Sequence, residues 1–301
     1  MRAELVADRG ERAQSPDFFR SAEFHAAEEV THTLVLEDRL AVALVVRAIP
    51  DAPSLRDATS TYGFPGAVVH GGEPLDPASV DWSGTGLVSV FLRDAVGRPP
   101  SLAGATLRSE VYVMDPRERL ALRSTHARHI RRNERFGYVT AEESGPDALR
   151  DFQLVYTQTM VRTEAGERYF FPDSWFERVL SSDRARLLMT RAGDGRPAAG
   201  ALVVESDGLL HYFLGGSADE LLEHSPFKTT LAAMIDLSRA SGLPLNLGGG
   251  VRPGDALDHF KRGFANRIEP FHTHEIVCDE EAYERLSEGR TGAGFFPLYR
   301  S

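Results

Sequence analysis

The chain has a single cysteine, Cys278, and only two lysines, Lys228 and Lys261, among 34 basic residues. One cysteine leaves no internal disulfide to form. No apolar run is long: Leu40 to Val46 is closed by Arg47, far short of the roughly 20 residues that cross a bilayer. The opening MRAELVADRGERAQ mixes both charge signs and lacks the apolar stretch of a signal peptide. These absences predict a cytoplasmic protein without a membrane span. No GxSxG elbow supports a serine hydrolase, and Cys278 is followed by Asp279, Glu280 and Glu281, a setting expected to suppress its thiolate. Basic residues are outnumbered by 44 acidic ones, for a net charge of -10. A phosphate-bearing partner would therefore be held by a local basic patch rather than by global attraction. The scarcity of lysine makes Lys228 and Lys261 conspicuous, because a compact, rotatable ammonium fits where a planar guanidinium does not.

What is present suffices for a folded chain: 301 residues, of which 42% are hydrophobic. Ser15-Pro16-Asp17 reads as a helix entry leading through Phe18, Phe24 and Val30. Val- and Leu-rich segments at 33–36, 40–49, 66–69, 86–92 and 110–114 predict strands. Helices are expected over 116–136 and 146–161, followed by strands at 187–190, 198–205 and 209–214. The last two of these strands are joined by Asp207-Gly208, a two-residue hairpin signal. A helix from Ser225-Pro226 to about Ser241, a strand at 243–247, a short helix from Asp255 and a strand at 268–277 complete the order. That order predicts a mixed α/β fold of the α+β type rather than a doubly wound parallel sheet. The first half looks like a shortened copy of the second, which places domains at 1–120 and 121–301.

Three groups of residues carry possible chemistry. Gly248, Gly249 and Gly250 lie in LGGGVRPGD (247–255) at the end of a predicted strand. No GxGxxG opens a long helix there, so a dinucleotide site lacks its scaffold, and the run reads as a close backbone approach or a plain turn. Seven arginines between 117 and 135 face two acids, Glu118 and Glu134. On a helix, Arg128, Arg131, Arg132 and Arg135 form one stripe. It suits an anionic ligand, or else a solvated face paired with Glu142, Glu143 or Asp147. His272 and His274 share one face of a predicted strand, but no third ligand is evident and no metal site is expected.

Taken in order, TSTYGFPGAVV (59–69), STHARHIRRNERFGYVT (124–140), YTQTMVRT (156–163), LLHYFLGGSADELLEHSPFKTTL (209–231) and LNLGGGVRPGDALDHFKRGFAN (245–266) resemble the Fem-like peptidyltransferases of the GNAT acyltransferase superfamily. The resemblance covers most of residues 15–280. It implies two GNAT-like domains in tandem, the first shortened, and amide formation by attack of an amine on an activated acyl group. Fem-like members draw that group from aminoacyl-tRNA, as a co-substrate and with no cofactor; ordinary GNAT enzymes draw it from acyl-CoA. The glycine-rich turn that cradles coenzyme A is replaced here by ELLEHSPFKTTL (220–231), which favours the aminoacyl-tRNA donor. The resemblance assigns Lys261 to oxyanion or leaving-group stabilisation, Phe260 to the terminal-adenosine pocket and Tyr212 to proton relay or acceptor binding. Lys228 and the three glycines go to the donor, and Tyr62, Arg128, Arg131 and Arg132 to the acceptor or a phosphate. Each lysine or tyrosine has a plainer alternative, as a solvated lysine or a core tyrosine. The acceptor implied is the amine of a small metabolite, a peptide or a cell-wall precursor, as in cell-wall or antibiotic pathways.

Overall fold

A computed structural model describes residues 1–71, 73–250, 254–292 and 294–301. The chain forms two compact units, one of residues 1–109 with 270–301 and the other of residues 110–269. The first opens with β1 (Ala3–Val6), α1 (Ala22–Ala27), β2 (His32–Leu36), β3 (Leu40–Ile49), β4 (Ala52–Ser60), β5 (Val68–Val69) and β6 (Ser89–Arg93). β1 to β4 pair antiparallel in sequence, and β6 joins β4 in parallel. The expected helix after Pro16 is shorter than its apolar spacing suggests. Ser21 accepts from the Phe24 N–H and starts α1 there, while residues 18–20 form a separate 3-10 turn.

The second unit takes in β7 (Thr106–Met114) from Glu110 onward and continues through α2 (Ser124–Arg135), β8 (Val139–Glu143), α3 (Pro146–Arg162), α4 (Asp173–Leu180), β9 (Ala185–Arg191), β10 (Pro197–Ser206), β11 (Leu209–Ser217), α5 (Phe227–Ser241), β12 (Leu245–Asn246) and α6 (Ala256–Arg262). Its strand order is β7-β12-β11-β10-β9-β8, with only β11 and β12 parallel. Helix is absent over 116–123: Asp115 binds the Arg117 side chain and its backbone N–H, so α2 starts only at Ser124. The Asp207-Gly208 turn has φ of 53° and 76° and closes the β10–β11 hairpin, as its residues predict. Between β10 and β11 the register shifts from Leu202 opposite Leu214 to Val203 opposite Tyr212. Phe213 is the extra residue of that bulge, which re-aims its neighbours, Tyr212 among them.

β13 (Arg267–Val277) and α7 (Glu280–Ser287) follow, and β13 pairs with β6 through residues 273–277. Residues 270–301, placed by the sequence pattern with the second half, therefore pack in the first unit. Two polar ties hold them. His274 Nε2 meets Asp94 Oδ2 at 2.9 Å, and Asp57, fully buried, accepts from Tyr299 and Arg300. His274 is thus a buried structural histidine, whereas His272 is half-exposed. Among the described residues no group of three His, Cys, Asp or Glu side chains is placed to hold a metal, and no helix is long and apolar enough to cross a membrane. Cys278 is held up at about 12 chiefly by burial; Asp279 adds less, so the acidic neighbourhood is a minor cause.

Each unit has its own apolar core. In the first it is built from Leu34, Leu44, Val90 and Leu92, and in the second from Met114, Val203, Leu231, Leu245 and Phe264. α3 crosses β11 so closely that a Cβ on Gly216 would lie 2.3 Å from the Val155 carbonyl oxygen and 2.7 Å from Tyr156 Cα. Backbone atoms cannot step aside as a flexible side chain does. Gly216→Ala should therefore cost about 1–3 kcal/mol in denaturant unfolding. Gly166→Ala, where a Cβ meets nothing within 4 Å, should stay within about 0.5 kcal/mol of the parent; equal stability of the two variants would contradict the packing.

Candidate functional site

The side chains that the sequence singles out fall into two places in the second unit, with Tyr62 apart in the first. Around Lys261 the local structure is set by α6. Asp255 caps it by accepting from the Asp258 N–H at 2.7 Å, and Asp258 and Lys261, three residues apart, form its buried face. Lys261 is 9% exposed, and its Nζ donates to the Gly249 carbonyl at 2.8 Å. Burial lowers its pKa to about 8, against a smaller upward pull from Asp255. No carboxylate among the described residues forms an ion pair with it. The ammonium lies 5.6 Å from the centroid of the Tyr212 ring, a cation–π contact. Tyr212 in turn packs on Phe227 at 5.2 Å.

Two of the three glycines have structural reasons. Gly248 sits at φ 71°, a region open chiefly to glycine, and a Cβ there would stand 3.0 Å from Lys261 Nζ. Gly249 supplies the carbonyl that holds the ammonium. Gly250 is half-exposed and makes neither contact; Val251, Arg252 and Pro253 of the same loop lie outside the described residues. Phe260 is half-buried against His126 and Phe264, at 5.7 and 5.3 Å. Sequence reasoning missed Tyr112, which ties β7 to α6. Its hydroxyl donates to Asp258 Oδ1 at 2.6 Å and accepts from Arg262 at 3.1 Å. Nothing in the spacing could signal that pair, 146 residues apart.

The second place is the contact between α2 and the start of α5. His126, Ile130 and Asn133 face inward while Arg128, Arg131 and Arg135 face out, so one helix period separates an anchoring face from a cationic one. Lys228 Nζ donates to His129 Nδ1 at 2.7 Å. Lys228 is pushed down by burial and then by Arg132 and Arg128, and His129 by burial, Lys228 and the same arginines. His126, 7% exposed and stacked on Phe264 at 4.4 Å, is lowered to about 4 by burial, Lys228, Arg123 and His129. Among the described residues, basic neighbours act with burial to lower all three groups. The acids offered as partners for the stripe are taken elsewhere: Glu142 by Arg186, Glu143 by Arg191, Asp147 by Arg150. Arg132 donates to the Glu223 backbone carbonyl at 3.1 Å. Tyr62 is half-buried, and its N–H donates to Glu28 at 2.8 Å.

Residues 121–262 match the acetyltransferase (GNAT) domain family. That segment, just under half of the chain, is therefore similar to the GNAT acyltransferase domain. Its fold is similar to that of FemX, with a TM-score of 0.64, 11% identity and coverage of 88% of this chain and 93% of that one. The C-terminal domain of a putative lysylphosphatidylglycerol synthetase from Agrobacterium fabrum matches at a TM-score of 0.58, 15% identity and 90% and 91% coverage. L-PGS from Bacillus licheniformis matches at 0.59, 10% identity and 86% and 87% coverage. No curated protein matches the chain by sequence. The matched GNAT segment contains Lys261, Phe260, Tyr212, Lys228 and the arginine stripe, and the likeness to FemX is the mixed α/β Fem-like form expected from the motifs. As acyltransferases, GNAT proteins join an acyl donor to an amine acceptor.

The histidine of the GNAT domain's α2 gives a stability test. Folded His126 stays neutral down to about 4, whereas its ordinary value is 6.5. Between those values the unfolded chain binds the proton and the folded chain does not, so stability falls as pH drops through that window. His126→Phe should lose less stability than the parent between pH 7 and pH 4.5 in denaturant titrations. His25, lowered similarly by burial, is common to both proteins and cancels. Equal losses would contradict the burial of a neutral His126.

Proposed function

We propose that this chain is an aminoacyltransferase that moves the aminoacyl group of an aminoacyl-tRNA onto an amine, forming an amide. One observation carries the reading: Lys261, a buried ammonium with which no carboxylate among the described residues forms an ion pair, lies beside Tyr212. The amine nitrogen attacks the ester carbonyl carbon; a C–N bond forms and the carbonyl oxygen becomes an oxyanion. Lys261 offers that oxygen, or the departing ribose oxygen, a positive charge in a site poor in competing water. The ester C–O bond then breaks, and the proton released by the amine passes to the ribose oxygen, a relay assigned to Tyr212. Orientation of the two reactants supplies much of the remaining rate, typically about 7–11 kcal/mol.

An ester donor is favoured over a thioester by the start of α5. The Lys228 and Thr229 N–H groups are spent on the Ser225 and Pro226 carbonyls, and Pro226 has no N–H to give. A pyrophosphate cradle of free backbone donors is therefore poorly supplied there. The cationic cluster of Lys228, Arg128 and Arg132 suits the phosphates of an acceptor stem instead. One structural neighbour is described as the C-terminal domain of a putative lysylphosphatidylglycerol synthetase, a name in keeping with aminoacyl transfer. Phe260 is assigned to the terminal adenosine. Tyr62 and Arg131 are assigned to an acceptor that is a small metabolite, a peptide or a cell-wall precursor.

The test is a coupled tRNA-charging assay with a panel of amines. Amide formation should vanish on RNase treatment, and Lys261→Ala should lower kcat by about 10²–10³. The rate should fall as pH rises past about 8, where Lys261 loses its proton. RNase-resistant turnover with an acyl-CoA would overturn the tRNA donor in favour of an acyl-CoA-dependent N-acyltransferase.

A further inference from the structure

Beneath the glycine turn runs a chain of buried hydrogen bonds whose members take no part in the proposed transfer. His211 on β11 and Asn246 on β12 are register partners in the parallel pair, 1% and 0% exposed. The imidazole Nε2 lies 3.1 Å from the Ser206 carbonyl oxygen. A carbonyl only accepts, so Nε2 carries the hydrogen and Nδ1 the lone pair. Asn246 Nδ2 lies 3.1 Å from Nδ1 and donates to it. The same amide orientation is required from its other side, because Asn246 Oδ1 accepts from the Gly248 N–H at 2.8 Å. Three bonds thus agree on one tautomer and one amide orientation, and they end on the residue whose left-handed backbone turns the chain toward Lys261. The next carbonyl along, that of Gly249, receives the Lys261 ammonium.

Burying an imidazole and an amide costs solvation that an apolar pair would not. What the polar pair adds is direction: it fixes where the Gly248 N–H points, and with it the carbonyl one residue on. We infer that His211 and Asn246 are positioning residues, whose buried pair holds the Gly248 turn so that Gly249 anchors the Lys261 ammonium at a fixed point. The catalytic consequence rests on the role of Lys261 proposed above; the anchoring does not.

Anchoring is tested without turnover. With only two lysines in the chain, trace labelling of the full-length protein with an amine-reactive ester, read by peptide mass spectrometry, compares Lys261 with Lys228 as internal reference. Asn246→Ala and His211→Leu should raise the Lys261 to Lys228 labelling ratio about three- to tenfold, the loss of one or two buried hydrogen bonds. His211→Gln, which keeps one donor and one acceptor, should hold the ratio within about twofold of the parent. An unchanged ratio in Asn246→Ala that still melts cooperatively would overturn the proposal. Should that variant fail to fold, His211→Leu and His211→Gln decide, and equal ratios in those two overturn it. In the charging assay the disrupting variants should lower kcat about tenfold or more with donor KM within about twofold. A raised ratio with unchanged kcat would support the anchoring and count against Lys261 in the transfer.

Discussion

An ammonium taken out of water must be answered by something, and among the described residues Lys261 is answered by the Gly249 carbonyl oxygen, the face of the Tyr212 ring and a weaker pull from Asp255, with no ion pair. A carboxylate would have neutralised it and restored an ordinary pKa. Leaving it without one keeps a net charge and a proton of intermediate affinity in a buried place. That state persists only if the surrounding frame is stiff. The frame is specific: Asp255 starts α6, Tyr112 bonds Asp258 one turn before the lysine, and Gly248 removes the Cβ that would press on Nζ.

The same economy governs the cationic contact between α2 and α5. Lys228, His129 and His126 all titrate lower than usual because burial and neighbouring positive charges act together. In a chain of net charge -10, such a cluster exists despite the global field, not because of it. An anion delivered there would relieve repulsion already stored in the fold. The β10–β11 bulge belongs to the same design, since it sets the direction of Tyr212, the side chain that borders the ammonium.

Residues near in sequence and strong in pattern were legible. β3, α3, α5 and the β10–β11 hairpin follow from apolar runs, three-and-four spacing and an Asp-Gly turn, all local signals. β4 was not legible, because APSLRDATS is polar and becomes a strand by pairing with β3 and β6, its Asp57 satisfied by Arg300 from the far end of the chain. β8, rich in acids, is an edge strand whose charges pair with arginines of β9. Lys261 stood out because lysine is scarce, and the fold buries it. His126 had a signal that went unused, since it recurs with Ile130 on the apolar face of α2. His211, Asn246, Tyr112 and Asp258 had none: their roles depend on pairings that only the folded sheet creates.

The chemistry of this site depends on the charge state of one side chain. NMR titration of the full chain with isotope-labelled lysine gives two side-chain resonances to follow, assigned by Lys228→Arg. A midpoint near 8 for Lys261 is the result expected of an ammonium buried without a carboxylate. A midpoint at the ordinary 10.5 would mean that it is solvated or paired, and the reading of this site as acyl-transfer machinery would fail with it.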